Sequence, residues 1–202
     1  MEGERKKGLK LCFWNIAGVG KKSRDVWRYL EKFDVVGLVE TWLEQKSEEK
    51  LKSKLSEKFN WWYVSAVREN KMGKAKGRIT MAVKKGLEMV EFKKWSNQMT
   101  EIKLEHRKKN RRIVTVYSQN TKEIMQTITD GIEEREDGRL ILGGDFNTRV
   151  GEQEGPFKEM MTEEKEERRS KDNNMNREGR ILIERLRDRG FIVNGCFGRE
   201  GE

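Results

Sequence analysis

Arg139-Leu140-Ile141-Leu142-Gly143-Gly144-Asp145-Phe146-Asn147 is the stretch from which the rest of the chain can be read. A short apolar run closed by glycines reads as a buried strand over Arg139–Gly143. Its end delivers an acid, Asp145, and an amide, Asn147, two positions apart at a sheet edge. The glycines allow a ligand to approach the backbone. An Asp can accept a proton or polarise a water, and an Asn can donate to a phosphate oxygen and hold that water in place. An ordinary Asp–Asn turn after a strand has the same letters, so the meaning depends on what accompanies it.

The same pattern recurs outward from this stretch. Leu9–Trp14 is a short apolar run ending at Asn15, and Asp34–Val39 is another ending at Glu40-Thr41-Trp42. Met99–Leu104 and Arg111–Tyr117 read as a hairpin turning around Lys108-Lys109-Asn110, its second strand running into Tyr117-Ser118-Gln119-Asn120. Further strands are expected at Trp61–Val64, at Ile79–Val83, from Leu87 to Phe92 after a turn at Gly86, and at Phe191–Asn194. Helical spacing marks Asp25–Lys32 with Ser23 as cap, Ser47–Phe59 with Leu51 and Leu55 on one face, and Glu178–Arg189. A further helix runs from the Asn120-Thr121 cap to about Glu136, with Ile124, Ile128 and Ile132 aligned. Glu69–Gly77 is a basic loop, and Glu159–Asn176 a charged loop or exposed helix. Strands and helices intermix while hairpins also occur, so a layered α/β sandwich with mixed sheets fits best. Polar residues at the ends of several buried strands are how a scaffold gathers a site.

Composition sets the outer bounds. The chain has 202 residues, 34% hydrophobic and 39% charged. Average domains are about 45–50% apolar and about 25% charged. Either the core is small with very charged loops, or some core-forming chain is missing. One Pro, Pro156, and the absence of repeats or a Pro/Ser-rich linker favour a single domain over residues 1–202. A net charge of +9 attracts polyanions, chiefly nucleic acid. Two cysteines, Cys12 and Cys196, form no disulfide framework and favour a reducing, intracellular setting. No leader-like apolar segment follows the charged start, and no apolar run reaches membrane-spanning length, so no membrane partner is expected.

The chemistry at the strand ends is consistent. Glu40 is a hard oxygen ligand suited to Mg²⁺, which takes one or two protein carboxylates alongside waters and substrate phosphate. Asn15 can orient that shell. Tyr117 and Asn120 can donate hydrogen bonds to a phosphate, while Asn120 also caps a helix. Taken as an ordered set, Trp14-Asn15, Glu40-Thr41-Trp42, Tyr117-x-x-Asn120 and Gly144-Asp145-Phe146-Asn147 resemble the endonuclease/exonuclease/phosphatase superfamily, together with abasic-site endonucleases and pancreatic-type DNases. Within it, three stretches look like the endonuclease domain of non-LTR retrotransposons. They are Val39–Leu43, Gly77–Val83 (where Arg78 replaces a paired glycine), and Ser170-Lys171-Asp172 through Asn176, Gly179 and Leu182 to Asn194-Gly195.

The resemblance implies an α/β (α+β) four-layer sandwich, two mixed sheets face to face with helices outside. It implies that Glu40 holds Mg²⁺ (or Mn²⁺) with Asn15 beside it, and that Asp145 orients or deprotonates the attacking water. Asn147 would position that water and the phosphate, and Tyr117 and Asn120 would contact the scissile phosphate. Arg78 is a substrate-binding candidate from its basic stretch, where it could touch the DNA backbone, not from the resemblance. The implied reaction nicks DNA to leave a 3′-hydroxyl, in a nuclear protein whose full length carries a downstream reverse transcriptase. The same fold acting on RNA or as a phosphatase is the alternative, and so is a non-catalytic nucleic-acid-binding remnant.

The family pattern also implies something this chain departs from. A terminal Ser-Asp-His motif on the last strands is not present before Glu202, and the one histidine, His106, stands near a hairpin tip. The expectation is a sandwich lacking its last strands, and weak or no nuclease activity of the chain alone. Lesser signals are the basic run Lys71, Lys74, Lys76 and Arg78, the cluster Lys108, Lys109, Arg111 and Arg112, and the adjacent Trp61 and Trp62. One tryptophan of that pair is expected in the core and the other exposed.

Overall fold

The computed structural model describes residues 8–20, 22–43, 54–64, 79–132, 139–151 and 172–188. These form eight strands and three helices: β1 Leu11–Asn15, α1 Arg24–Leu30, β2 Val35–Val39, β3 Phe59–Tyr63, β4 Ile79–Lys84, β5 Glu88–Lys94, β6 Met99–Glu105, β7 Asn110–Tyr117, α2 Thr121–Ile132, β8 Arg139–Asp145 and α3 Arg177–Arg187. Contacts divide the chain into two compact units, one of Met1–Gln119 with Gln126–Phe146, the other of Asn120–Met125 with Asn147–Glu202.

All eight strands lie in the first unit, as two four-stranded sheets ordered β1-β2-β4-β3 and β5-β6-β7-β8. Each sheet is mixed. One parallel pair, β1–β2 or β7–β8, is flanked by antiparallel strands. The two-sheet architecture expected from the sequence is the one observed.

β2 shows why the sheets stack. All five of its residues are buried, which needs cover on both faces. Val36 and Leu38 point to one side, into a cluster with Ile16, Ala82, Phe59 and the α1 residues Trp27 and Leu30. Val35 and Val39 point to the other, into the inter-sheet core with Ile79, Met81, Val83, Ile102, Leu104, Ile113 and Tyr117. Helix α1 therefore lies outside the first sheet.

The inter-sheet core also holds Thr115, whose hydroxyl is buried without a hydrogen-bond partner among the described residues. An unsatisfied buried hydroxyl costs about 1–3 kcal/mol, and Val has the same branched shape without it. Thr115→Val is expected to raise stability by about 1 kcal/mol. The check is a higher urea midpoint with an unchanged denaturant slope.

Four expectations are corrected. The helix predicted over Ser47–Phe59 does not reach its end: Lys54–Lys58 form turns and bends and Phe59 opens β3, while residues 44–53 lie outside the described residues. Ser56 explains the break. Its hydroxyl accepts from Lys58 N and donates to Glu31 Oε1, and its carbonyl accepts from Trp61 Nε1, so local bonds replace a helical ladder. The hairpin turns at Arg107-Lys108, not at Lys108–Asn110. Both residues have positive φ (57° and 58°), and His106 and Lys109 exchange backbone bonds across them, the two-residue turn whose twist matches the strands. Ser23 occupies the N-cap of α1 without a side-chain cap bond. Neither Trp61 nor Trp62 is exposed: Trp61 meets Trp27 and Phe59, and Trp62 stacks on Phe92 at 6.2 Å. The strand expected at Phe191–Asn194 lies outside the described residues.

Glu31, at the end of α1, gathers Lys58 Nζ and Ser56 Oγ at 2.6 and 2.7 Å. The Lys58 bond first, then the Ser56 bond, holds its carboxyl below the ordinary value of 4.5. A depressed folded-state value stabilises above the unfolded pKa and loses that contribution as pH falls through the folded one. Glu31→Gln is expected to lower Tm slightly at neutral pH, the difference from wild type vanishing in acid below that carboxylate range. Melting curves across pH test this.

In the second unit, α3 is capped by Asn176, whose Oδ1 accepts from Gly179 N at 2.8 Å. The same oxygen accepts from Arg149 N at 3.2 Å, and Asn176 N donates to Arg149 O at 3.0 Å. A Cβ on Gly179 would lie 1.9 Å from Arg149 O. Asn176 and Gly179 thus fasten the α3 start to the chain at Arg149, a structural role for two residues that the sequence pattern singled out.

Candidate active site

A parallel pair places two strand carboxyl ends side by side, and this molecule has one such pair in each sheet. Asn15 ends β1 opposite Val39, the last residue of β2, with Glu40 directly following. Tyr117 ends β7 opposite Asp145, the last residue of β8. The sheets meet through β1 with β8 and β2 with β7. All four carboxyl ends are thereby gathered at one edge of the first unit.

Two hydrogen bonds cross between the sheets there. Asn15 Nδ2 donates to Asp145 Oδ2 at 2.7 Å, and Tyr117 Oη donates to Glu40 Oε1 at 2.8 Å. The Asn15 amide is oriented by its other end, where Oδ1 accepts from Ala17 N at 3.2 Å, leaving the donor nitrogen for Asp145. Asn15, Glu40 and Asp145 are half-buried, while Tyr117 is buried. Both carboxylates are therefore reachable by a ligand in partly dehydrated surroundings.

Close approach of the sheets depends on small residues. A Cβ on Gly143 would lie 2.2 Å from the Phe13 ring, and one on Gly37 would lie 2.3 Å from Thr115 Oγ1. Gly144 has φ +134°, and a Cβ there would lie 1.9 Å from Val116 O. Gly143 and Gly144 thus bring β8 against both neighbours, and the strand runs on through them to Asp145, two residues beyond the sequence expectation.

The loop backbone is also unusual. Ala17, Glu40 and Trp42 have φ of 44°, 52° and 53°. Non-glycine residues in this region persist only where their surroundings hold them, and such residues cluster at functional sites. The restraint is a ladder continuing past the strand ends: Ile16 N to Val39 O (3.1 Å), Gly18 N to Glu40 O (2.8 Å) and Val19 N to Thr41 O (3.1 Å).

Of the seven residues singled out, Asn15, Glu40, Tyr117 and Asp145 are brought together. Asn120 belongs to the second unit, where its Oδ1 accepts from Lys122 N and Glu123 N at 3.0 and 3.4 Å as the expected cap. The cap leaves its Nδ2 donors unused. Asn147, also in the second unit, is exposed with φ 50°. Arg78 lies outside the described residues, as do Lys71, Lys74 and Lys76. Sequence reasoning missed Gln98. Its carbonyl accepts from Tyr117 N at 2.9 Å and its Oε1 from Gln119 N at 2.9 Å, which clamps the segment carrying Tyr117. Nothing in the letters around Gln98 signals that role.

The donor set fits an oxygen-preferring divalent cation. Glu40 makes no salt bridge among the described residues, and its second carboxylate oxygen is left open by the Tyr117 bond. No group of three or more His, Cys, Asp or Glu side chains able to enclose an ion occurs among the described residues.

Residues 12–163 match the model of the Endonuclease/Exonuclease/phosphatase family. No curated protein matches the chain in sequence. Among solved structures, the endonuclease domain of TRAS1, a telomere-specific non-LTR retrotransposon, is similar with TM-score 0.61 and 14% identity, over 93% of this chain and 75% of that one. The AP endonuclease LMAP from Leishmania major gives 0.60 and 15%, over 89% and 66%. TDP2 of D. rerio complexed with a single-strand DNA product gives 0.52 and 18%, over 70% and 61%. The chain spans 63% of the humanized D. rerio TDP2 and 48% of a Caenorhabditis elegans TDP2, less than two thirds of either. At these identities the likeness is one of fold.

Proposed function

Because the chain belongs to the endonuclease/exonuclease/phosphatase family and has an AP-endonuclease-like fold, we propose that it is a metal-dependent phosphodiesterase that nicks DNA, the endonuclease domain of a retrotransposon-type protein. The observation that carries this reading is the pair of cross-sheet bonds, Asn15 to Asp145 and Tyr117 to Glu40. Enzymes of the family are hydrolases and generally depend on divalent metal. The net charge of +9 supports a polyanionic substrate. So does a fold neighbour solved with a DNA product. The family match runs through residues of both compact units, which supports reading them as one domain.

Glu40, with Asn15 beside it, would hold Mg²⁺ or Mn²⁺. When bound, the cation offsets charge on the phosphoryl oxygens and the leaving group. Asp145 takes the proton of the attacking water, its carboxylate oriented by the bond that Oδ2 accepts from Asn15. Tyr117 fixes the Glu40 carboxylate and has a phenol able to turn to a phosphate oxygen. Contact with phosphate and water by Asn120 and Asn147, and with substrate by Arg78, completes the proposal. So do a 3′-hydroxyl product, nuclear location and a reverse transcriptase in the full-length protein. Among the described residues no helix is long and apolar enough to cross a membrane.

The test is nicking of supercoiled plasmid by the purified chain with Mg²⁺ or with EDTA, beside Asp145→Ala. Weak nicking that needs both metal and Asp145 is the expected result, in keeping with the low activity expected of this chain alone. Nicking indifferent to metal or to Asp145 would overturn the proposal.

A further inference from the structure

Five of the six tryptophans are buried or half-buried, and Trp42 alone is exposed, at 39%. It stands two residues after Glu40, and the intervening segment alternates. Thr41 and Leu43 are buried at 1% and 5%, while Glu40 and Trp42 turn the other way, both with left-handed φ. The backbone is held by the Gly18–Glu40 and Val19–Thr41 bonds. The Trp42 ring lies against Gly18, where a Cβ would come within 2.5 Å of Cε3. An exposed indole, seated on a glycine and fixed on a strained backbone, is costly to display for packing alone. It has the form of a rigid platform with low ordering cost on binding.

We infer that Trp42 is a stacking platform for an unpaired base of the nucleic-acid strand cleaved beside Glu40, a substrate-positioning residue of the same site. The inference rests on the nuclease reading above. Every base presents a π-face, so the contact adds affinity without sequence preference. Trp42 then fixes the strand and not the reacting atoms. Its loss raises KM and Kd and spares kcat.

The test compares binding in EDTA of two short single strands of equal length and equal phosphate number, one carrying thymines and one wholly abasic. Trp42→Ala is expected to weaken the thymine strand by about 5- to 150-fold and to leave the abasic strand unchanged. Trp42→Phe, which keeps a ring over Gly18, is expected to retain most of the thymine affinity. Equal weakening of both strands by Trp42→Ala, or no weakening of either, overturns the inference. If plasmid nicking still needs metal and Asp145 in that case, the nuclease reading stands without it. If the wild-type chain binds neither strand, the inference and its DNA substrate fall together.

Discussion

Asp145→Ala is expected to reduce metal-dependent nicking by about 10³-fold or more, the scale seen when one member of a catalytic unit is removed. The substitution removes the group that takes the water's proton, and it leaves the Asn15 amide without its 2.7 Å acceptor. Asn15→Ala separates these two losses. It keeps the Asp145 carboxylate and removes its orientation together with the amide beside the Glu40 metal position, so a smaller loss of about 10-fold to 10²-fold is expected, as when a supporting hydrogen bond around a metal site is lost. Single-turnover rates with circular dichroism on each variant measure this. Equal rates for Asp145→Ala and wild type, in folded protein, would remove Asp145 from the chemistry.

Gly144→Ala is expected to destabilise the chain by about 3 kcal/mol or more, from overpacking and a disfavoured backbone acting together. Its φ of +134° suits glycine, and an added Cβ would meet the Val116 carbonyl at 1.9 Å, which is backbone and cannot turn aside. Val116 and Gly144 are register partners, so relief requires β8 to move from β7 at the point just before Tyr117 and Asp145. Against a typical total of about 5–15 kcal/mol, that is a large fraction. Thermal melting checks it, and Gly86→Ala is the control. Gly86 also has positive φ (96°) but open space around a Cβ, so its loss is expected to be smaller, set by backbone strain alone.

Local sequence determined a good deal here. Apolar runs closed by a polar residue located β1, β2, β7 and β8 within a residue or two, most plainly at β2, where burial of all five residues on both faces demands continuous apolar letters. The same logic put Asn15, Glu40, Tyr117 and Asp145 at strand ends. The Asn120 cap was legible as well, since capping is a bond between near neighbours. The helix expected over Ser47–Phe59 is overruled at its end, Lys54–Phe59, where local spacing met a competitor it does not encode: Ser56 donates to Glu31 and accepts from Trp61.

Only the tertiary structure decided which ends meet. Asn15 and Asp145 are 130 residues apart and Tyr117 and Glu40 are 77 apart, and no periodicity spans such distances. Their meeting follows from two parallel pairs, in different sheets, packed with β1 on β8 and β2 on β7. The strained backbone at Glu40 and Trp42 was equally hidden, because left-handed φ at a glutamate or a tryptophan runs against residue preference and is imposed by the ladder from the neighbouring loop. The letters of this chain specify strands and the chemistry at their ends. The stacking of two sheets, which buries the apolar faces those strands present, turns four separate ends into one site.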